Sequence, residues 1–184
     1  MSSPWRTVKS ELVYENRWLR LRQDSVIRPD GSEGIYSVVE LPPSVGVVAI
    51  DDSGQVAHVT QWRYVHNKMS IEIPTGGSSA EDRNPQGSAE RELLEETGLR
   101  ANRWRELGSI DNSNGATTDV AHLFLATELA HGPSRQDPEE SIEVSWHRYG
   151  DVVTMVMTGE ITESCSVAAI LKTEVLRSSG QVTF

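Results

Sequence analysis

Gly76-Gly77-Ser78-Ser79-Ala80-Glu81-Asp82-Arg83-Asn84-Pro85, running on to Arg91-Glu92-Leu93-Leu94-Glu95-Glu96-Thr97-Gly98-Leu99, decides how the rest of this chain is read. Asn84 is a good N-cap and Pro85 suits the first helical position. Gly98 suits the stop. These signals predict a helix between Pro85 and Thr97. At about 100° per residue, Glu92, Glu95 and Glu96 share an arc of about 100°. Like charges on one face repel by a few tenths of a kcal/mol per pair. A solvated acidic face tolerates that cost. A site for a hard divalent cation makes use of it, because such ions take oxygen ligands. The glycines before the helix let a ligand approach the backbone, and a helix N-terminus favours anions.

Working outward, the chain reads as alternating strands and helices. Thr7–Tyr14, Trp18–Ile27 and Ile35–Leu41 carry strand-type residues. The last two are joined by the turn Arg28-Pro29-Asp30-Gly31. Pro42-Pro43 then breaks the chain, dividing an N-terminal β-unit (residues 1–43) from a main domain (44–184). Val45–Ile50, Val56–Gln61, Ser70–Ile73, Trp104–Ile110, Ala121–Leu129 and Ser141–Trp146 read as further strands. Pro74–Ser79 and His131–Ser141 read as loops, and Arg148–Met157 and Thr162–Leu176 as helices. This interleaving predicts an α/β (α+β) fold, a mixed sheet covered by helices, with a small antiparallel unit in front.

Composition narrows the chemistry. The chain has 184 residues, enough for one good core. A formal net charge of -10 argues against a nucleic-acid binder. It also implies that cations help hold any anionic substrate. The single cysteine, Cys165, permits no internal disulfide and fits a reducing compartment. The N-terminal stretch is polar and mixed in charge, and the longest apolar run is too short to span a bilayer. The expectation is a cytoplasmic protein without a membrane partner. The five histidines show no metal-ligand spacing, and neither a P-loop nor a dinucleotide fingerprint occurs.

The quoted stretch resembles the Nudix box, G-x5-E-x7-R-E-U-x-E-E-x-G-U, where U is bulky and apolar. Arg91–Leu99 meets every specified position of its second half. The first half departs from it. With Gly77 as the box glycine, the glutamate position falls on Arg83. With Gly76, it falls on Asp82, with one residue inserted before Arg91. In the family that glutamate supports the site by pairing with the box arginine or a metal. The resemblance implies a Nudix-type α/β/α sandwich and Mg²⁺ or Mn²⁺ held by Glu92, Glu95 and Glu96. It makes Glu92 and Arg91 catalytic, with Arg91 orienting the carboxylates.

Outside the box the chain is similar to the branch containing ADP-ribose pyrophosphatases and nucleotide-sugar hydrolases. Gln61-Trp62-Arg63-Tyr64 resembles a strand end whose arginine grips the diphosphate, which assigns Arg63; an ordinary surface arginine is the other reading. Glu72-Ile73-Pro74-Thr75-Gly76 resembles the E-I-P-A-G approach to the box. It implies substrate-side roles for Glu72 and Gly77 and, if Gly77 is the box glycine, a metal-binding carbonyl on Gly76. Ser113–Asp119 resembles a substrate loop, with Thr117 and Asp119 as its contacts. Asp137–Glu143 resembles the acidic loop that supplies the catalytic base, pointing to Glu140 with Glu139 as rival. The N-terminal unit in that branch often exchanges between subunits and holds the base between rings. That implies a homodimer and assigns Trp18 and Tyr36, both equally readable as strand packing.

The implied activity is hydrolysis of a nucleoside diphosphate joined to a sugar, with that small molecule as partner. Two alternatives share the box: a binding sensor that does not cut, and an enzyme for nucleoside triphosphates. The changed box glutamate motivates the first; the long N-terminal unit argues against the second.

Overall fold

The computed structural model describes residues 2–79, 81–132 and 141–184. Its elements in chain order are β1 (Arg6–Glu15), β2 (Arg20–Ile27), β3 (Glu33–Glu40), β4 (Ser44–Ala49), β5 (Gln55–Arg63), a single 3-10 turn (Tyr64–His66), β6 (Lys68–Glu72), β7 (Thr75–Gly77), α1 (Pro85–Thr97), β8 (Leu99–Asp111), β9 (Val120–His131), β10 (Glu143–Arg148), α2 (Tyr149–Thr158) and α3 (Ser164–Ser178).

The chain forms two compact units. The first joins Met1–Pro43 to the distant segment Asp111–Val120. Its sheet is β1-β2-β3, antiparallel throughout. The β2–β3 turn closes where the Gly31 N–H donates to the Arg28 carbonyl at 2.9 Å, with Gly31 at φ 86°. That left-handed value is easy only for glycine. The second segment joins β3 by backbone bonds: Val39 N–H to the Ala116 carbonyl at 2.8 Å, and Thr118 N–H to the Val39 carbonyl at 3.0 Å. A single cut after Pro43 therefore leaves out the piece Asp111–Val120, whose partners lie far upstream (Tyr36 with Gly115, Leu41 with Thr118, sequence separations 79 and 77).

The second unit holds the remaining residues. One sheet runs β7-β4-β9-β8, with β4 parallel to β9 and antiparallel to β7. Another runs β10-β5-β6 and is antiparallel. The two are stitched at the Ile50–Val56 bridge. Side chains alternate across a strand, and β4 shows the consequence. Val45, Val47 and Ala49 join Ala89 and Leu93 of α1 in one core. Val48, with the neighbouring Ile50, joins Val152 of α2 and Ala169 and Ile170 of α3 in the other. Helices thus cover both faces of the sheets. At Gly46 an added Cβ would stand 3.3 Å from Cys165 Cβ, so α3 packs directly on the strand backbone. Leu93 is fully buried, and its truncation to Ala would cost about 2–5 kcal/mol. That burial anchors α1, and with it the acidic face.

The stretch Pro74–Ser79, read from sequence as a loop, contains the strand β7. Thr75, Gly76 and Gly77 pair with Gly46, Val45 and Ser44. Three residues carrying two glycines have no apolar period to betray a strand.

Candidate active site

The local sequence builds α1 as its caps require. The Asn84 side chain accepts the Gly87 N–H at 2.8 Å, Pro85 opens the helix, and Gly98 closes it at φ 71°. Arg91 then projects from the helix and spends all five of its guanidinium N–H groups. Nε and Nη2 donate to the two oxygens of Asp82 at 3.2 and 3.1 Å. Nη2 also donates to the Gly77 carbonyl at 2.7 Å. Nη1 donates to Glu92 at 2.8 Å and Glu95 at 2.9 Å.

Asp82 therefore fills the place left vacant by Arg83. Its pairing with Arg91, above all, lowers its pKa to about 2, with the Ser79 N–H adding to the effect from 2.7 Å. The same contact raises Arg91 further above its ordinary value. Arg83 itself is exposed. The box register slips by one residue, and the turn before Asn84 absorbs the slip. The feature that motivated a non-cutting sensor is thereby compensated.

The carboxylates face the β7 backbone. A Cβ on Gly76 would lie 2.1–2.3 Å from the Glu92 carboxyl group, so Glu92 occupies the space a side chain would need. Glu96 is 5% exposed and accepts the Thr75 N–H at 3.0 Å. Glu95 stands further out. Among the described residues no three His, Cys, Asp or Glu side chains already stand in a metal-holding arrangement. Arg91 Nη1 lies between Glu92 and Glu95 and offsets their charge. The donor chemistry nonetheless fits a hard divalent cation, with carboxylate oxygens on one helix face laid against a strand that carries two glycines. Glu92, Glu95 and Glu96 would hold it, in competition with Nη1 for the first two.

Arg63 ends β5 and grips Glu72 of β6 through Nε at 2.8 Å and through Nη2. Glu72 is fully buried. It meets the arginine with both oxygens, so it serves as the arginine's holder in this structure. The Arg63 pKa rises, first through Glu72 and further through the charges of Glu96 and Glu163. Glu72, Arg63, Gly76, Gly77, Arg91, Glu92, Glu95 and Glu96 all belong to the second unit.

Thr117, Asp119, Tyr36 and Trp18 lie in the first unit. Thr117 and Asp119 close their loop on itself: Thr117 Oγ1 donates to the Asn112 carbonyl, and Asn112 Nδ2 donates to Asp119 at 3.0 Å. The Tyr36 hydroxyl donates to the Gly115 carbonyl at 2.9 Å. Its ring meets Trp5 edge-on at 5.5 Å, a pairing the sequence reading did not propose. Trp18 is 62% exposed in the β1–β2 turn, with the Arg17 guanidinium 4.0 Å over its ring. Glu140 and its rival Glu139 lie outside the described residues.

Residues 40–164 match the Nudix domain family. The chain belongs to the Nudix family. Residues 5–39 match the nucleoside diphosphate sugar hydrolase N-terminal domain. Among relatives, an ADP-ribose pyrophosphatase of Mycobacterium tuberculosis is 31% identical over 91% of this chain and 82% of its own. An ADP-ribose pyrophosphatase of Bacillus subtilis is 28% identical over 90% of each chain. A GDP-mannose pyrophosphatase of Klebsiella pneumoniae is 29% identical over 98% of this chain and 95% of its own. A solved structure described as an ADP compounds hydrolase superposes with a TM-score of 0.84 at 17% identity, covering 97% of both chains, which shows the shared fold. The Arg91 hub and its carboxylates are thus the box of a Nudix pyrophosphohydrolase, a family whose members generally need a divalent metal. Among the described residues no helix is long and apolar enough to cross a membrane.

Proposed function

We propose that this Nudix hydrolase cuts the diphosphate of ADP-ribose or a closely related nucleotide sugar, using Mg²⁺ or Mn²⁺, in the cytoplasm. For ADP-ribose the products are AMP and ribose 5-phosphate. The observation that carries the reading is the carboxylate face of α1, with Glu92 against Gly76, Glu96 on the Thr75 N–H, and Glu92 and Glu95 held by Arg91. Relatives named for ADP-ribose and GDP-mannose support a diphosphate-linked sugar as the substrate class.

When bound, the cation offsets diphosphate charge and lowers the pKa of a coordinated water. The chain's own residues do the rest. Arg63, with its fork already oriented by Glu72, turns its remaining N–H groups to a phosphate oxygen. Arg91 keeps Glu92 and Glu95 at a fixed spacing. Glu140 takes the proton of the attacking water. One P–O bond to the bridging oxygen breaks as the water oxygen bonds to phosphorus. Asp119, Thr117, Trp18 and Tyr36 serve the nucleoside and sugar.

β1 is exposed along its whole length, including Val8, Leu12, Val13 and Tyr14. Exposed edge strands of this kind invite pairing, which supports a homodimer formed through the N-terminal sheet. Sedimentation at micromolar concentration checks it, and a monomer there would remove this part of the reading.

The test of function is a substrate panel of ADP-ribose, ADP-glucose, GDP-mannose, UDP-glucose, diadenosine polyphosphates and nucleoside triphosphates, each with Mg²⁺ and with Mn²⁺. The expected result is metal-dependent release of AMP from ADP-ribose. Turnover confined to triphosphates, or none at all, would overturn the proposal.

A further inference from the structure

The N-terminus of α3 is wired to the turn that follows Glu72. Glu163 caps the helix, accepting the Cys165 N–H at 2.8 Å and the Ser166 N–H at 2.7 Å. The hydroxyl of Ser166 donates to the same carboxylate at 2.7 Å. That hydroxyl in turn accepts the Ile73 N–H at 3.0 Å. Ser166 and Ile73 are both fully buried. An unsatisfied N–H there would be costly, so the relay Ile73 to Ser166 to Glu163 fixes the backbone directly after Glu72.

A second tie reaches the same place. Lys68, the cross-strand partner of Arg63, donates to Thr162 Oγ1 at 3.2 Å. Arg63 is thus bracketed by two residues, Lys68 and Glu72, whose surroundings are set from the α3 cap. Glutamate is an unusual N-cap, since Ser, Thr, Asp and Asn do that work best. Capping alone does not explain it. Its carboxylate accepts two backbone N–H groups and the Ser166 hydroxyl at once, and it adds, after Glu72 and Glu96, to the charges that favour the Arg63 guanidinium.

We propose that Glu163 is a positioning residue for Arg63. Through Ser166 it fixes the turn at Ile73, and so the angle at which Glu72 presents the guanidinium to a diphosphate. The proposal rests on the assignment of Arg63 to the diphosphate made above.

The test compares Glu163→Ser, Glu163→Asp, Arg63→Ala and the Arg63→Ala/Glu163→Ser double variant, using steady-state kinetics on ADP-ribose and thermal melts. Serine restores a good helix cap without the charge, and aspartate keeps both. The expected result is a KM about tenfold higher for Glu163→Ser, the size of one charge-assisted contact, with kcat changed less than about threefold. Glu163→Asp should stay near the parent KM. The double variant should be no worse than Arg63→Ala alone, because neighbours in one network are not additive. Equal KM values for Glu163→Ser and the parent, with Arg63→Ala impaired, would overturn the proposal. So would a Glu163→Ser effect that persists in full without Arg63, or one that Asp shares. A parent-like Arg63→Ala would instead overturn the assignment of Arg63, and the proposal with it.

Discussion

Replacing Gly76 by Ala should separate activity from stability. Gly76 lies in β7, outside the left-handed region, so the backbone accepts an alanine. The obstacle is Glu92. The new Cβ would lie 2.1 Å from its carboxyl carbon and 2.2 and 2.3 Å from its oxygens, where ordinary contact begins at 3.4 Å. The carboxylate must therefore retreat by 3.4 minus 2.1, or 1.3 Å. It can do so, because the clash is with the far end of a flexible side chain. The fold should survive, with the melting temperature within about 3 °C of the parent. Catalysis should not, since a misplacement of about 1 Å costs about a hundredfold, or about 2.7 kcal/mol of barrier. The assay is kcat on the best panel substrate at saturating metal, beside a thermal melt. Gly150→Ala, at an exposed helix position with nothing within 4 Å of the added Cβ, is the control and should leave kcat unchanged. A Gly76→Ala variant within about threefold of the parent kcat would refute the claim that Glu92 must sit against this glycine.

Two further outcomes follow from particular contacts. Asp82→Ala removes two of the five hydrogen bonds of Arg91 and should lower kcat/KM about 10- to 100-fold, the usual cost of an outer partner of a metal site. Arg83→Ala should change it by less than about twofold, and the reverse order would show that the box register does not slip. His58 is fully buried, its Nε2 has no partner among the described residues, and His147 lies 5.4 Å away. Burial first, then His147, depresses its pKa to about 4 from 6.5. Between those values the unfolded chain binds a proton that the folded chain refuses. Stability from this group is complete above about pH 6.5 and falls as pH drops toward 4, by about 3 kcal/mol. Urea titrations at several pH values should show that slope in the parent and a flatter one in His58→Gln; equal slopes would show that His58 does not titrate this way.

The sequence by itself determined the elements whose signals are local. Asn84, Pro85 and Gly98 marked the ends of α1 because caps act within one turn. Glu92, Glu95 and Glu96 declared themselves because helical periodicity puts them on one face, and Arg91 through the resemblance to the box. β4 and β5 were legible as short, largely apolar runs on either side of a turn, also a local signal. Tertiary structure decided what depends on partners far along the chain. Only the pairing of β7 with β4 made a strand of Thr75–Gly77, and only β3 drew Asp111–Val120 into the N-terminal unit. The box motif left Arg83 and Asp82 as rivals for one role. The fold chose Asp82, because the turn before α1 brings its carboxylate, and not the neighbouring side chain, to Arg91. The Glu163–Ser166–Ile73 relay was invisible for the same physical reason. A hydrogen bond across 93 positions leaves no periodicity in the sequence, and only packing of α3 against the sheet brings its ends together.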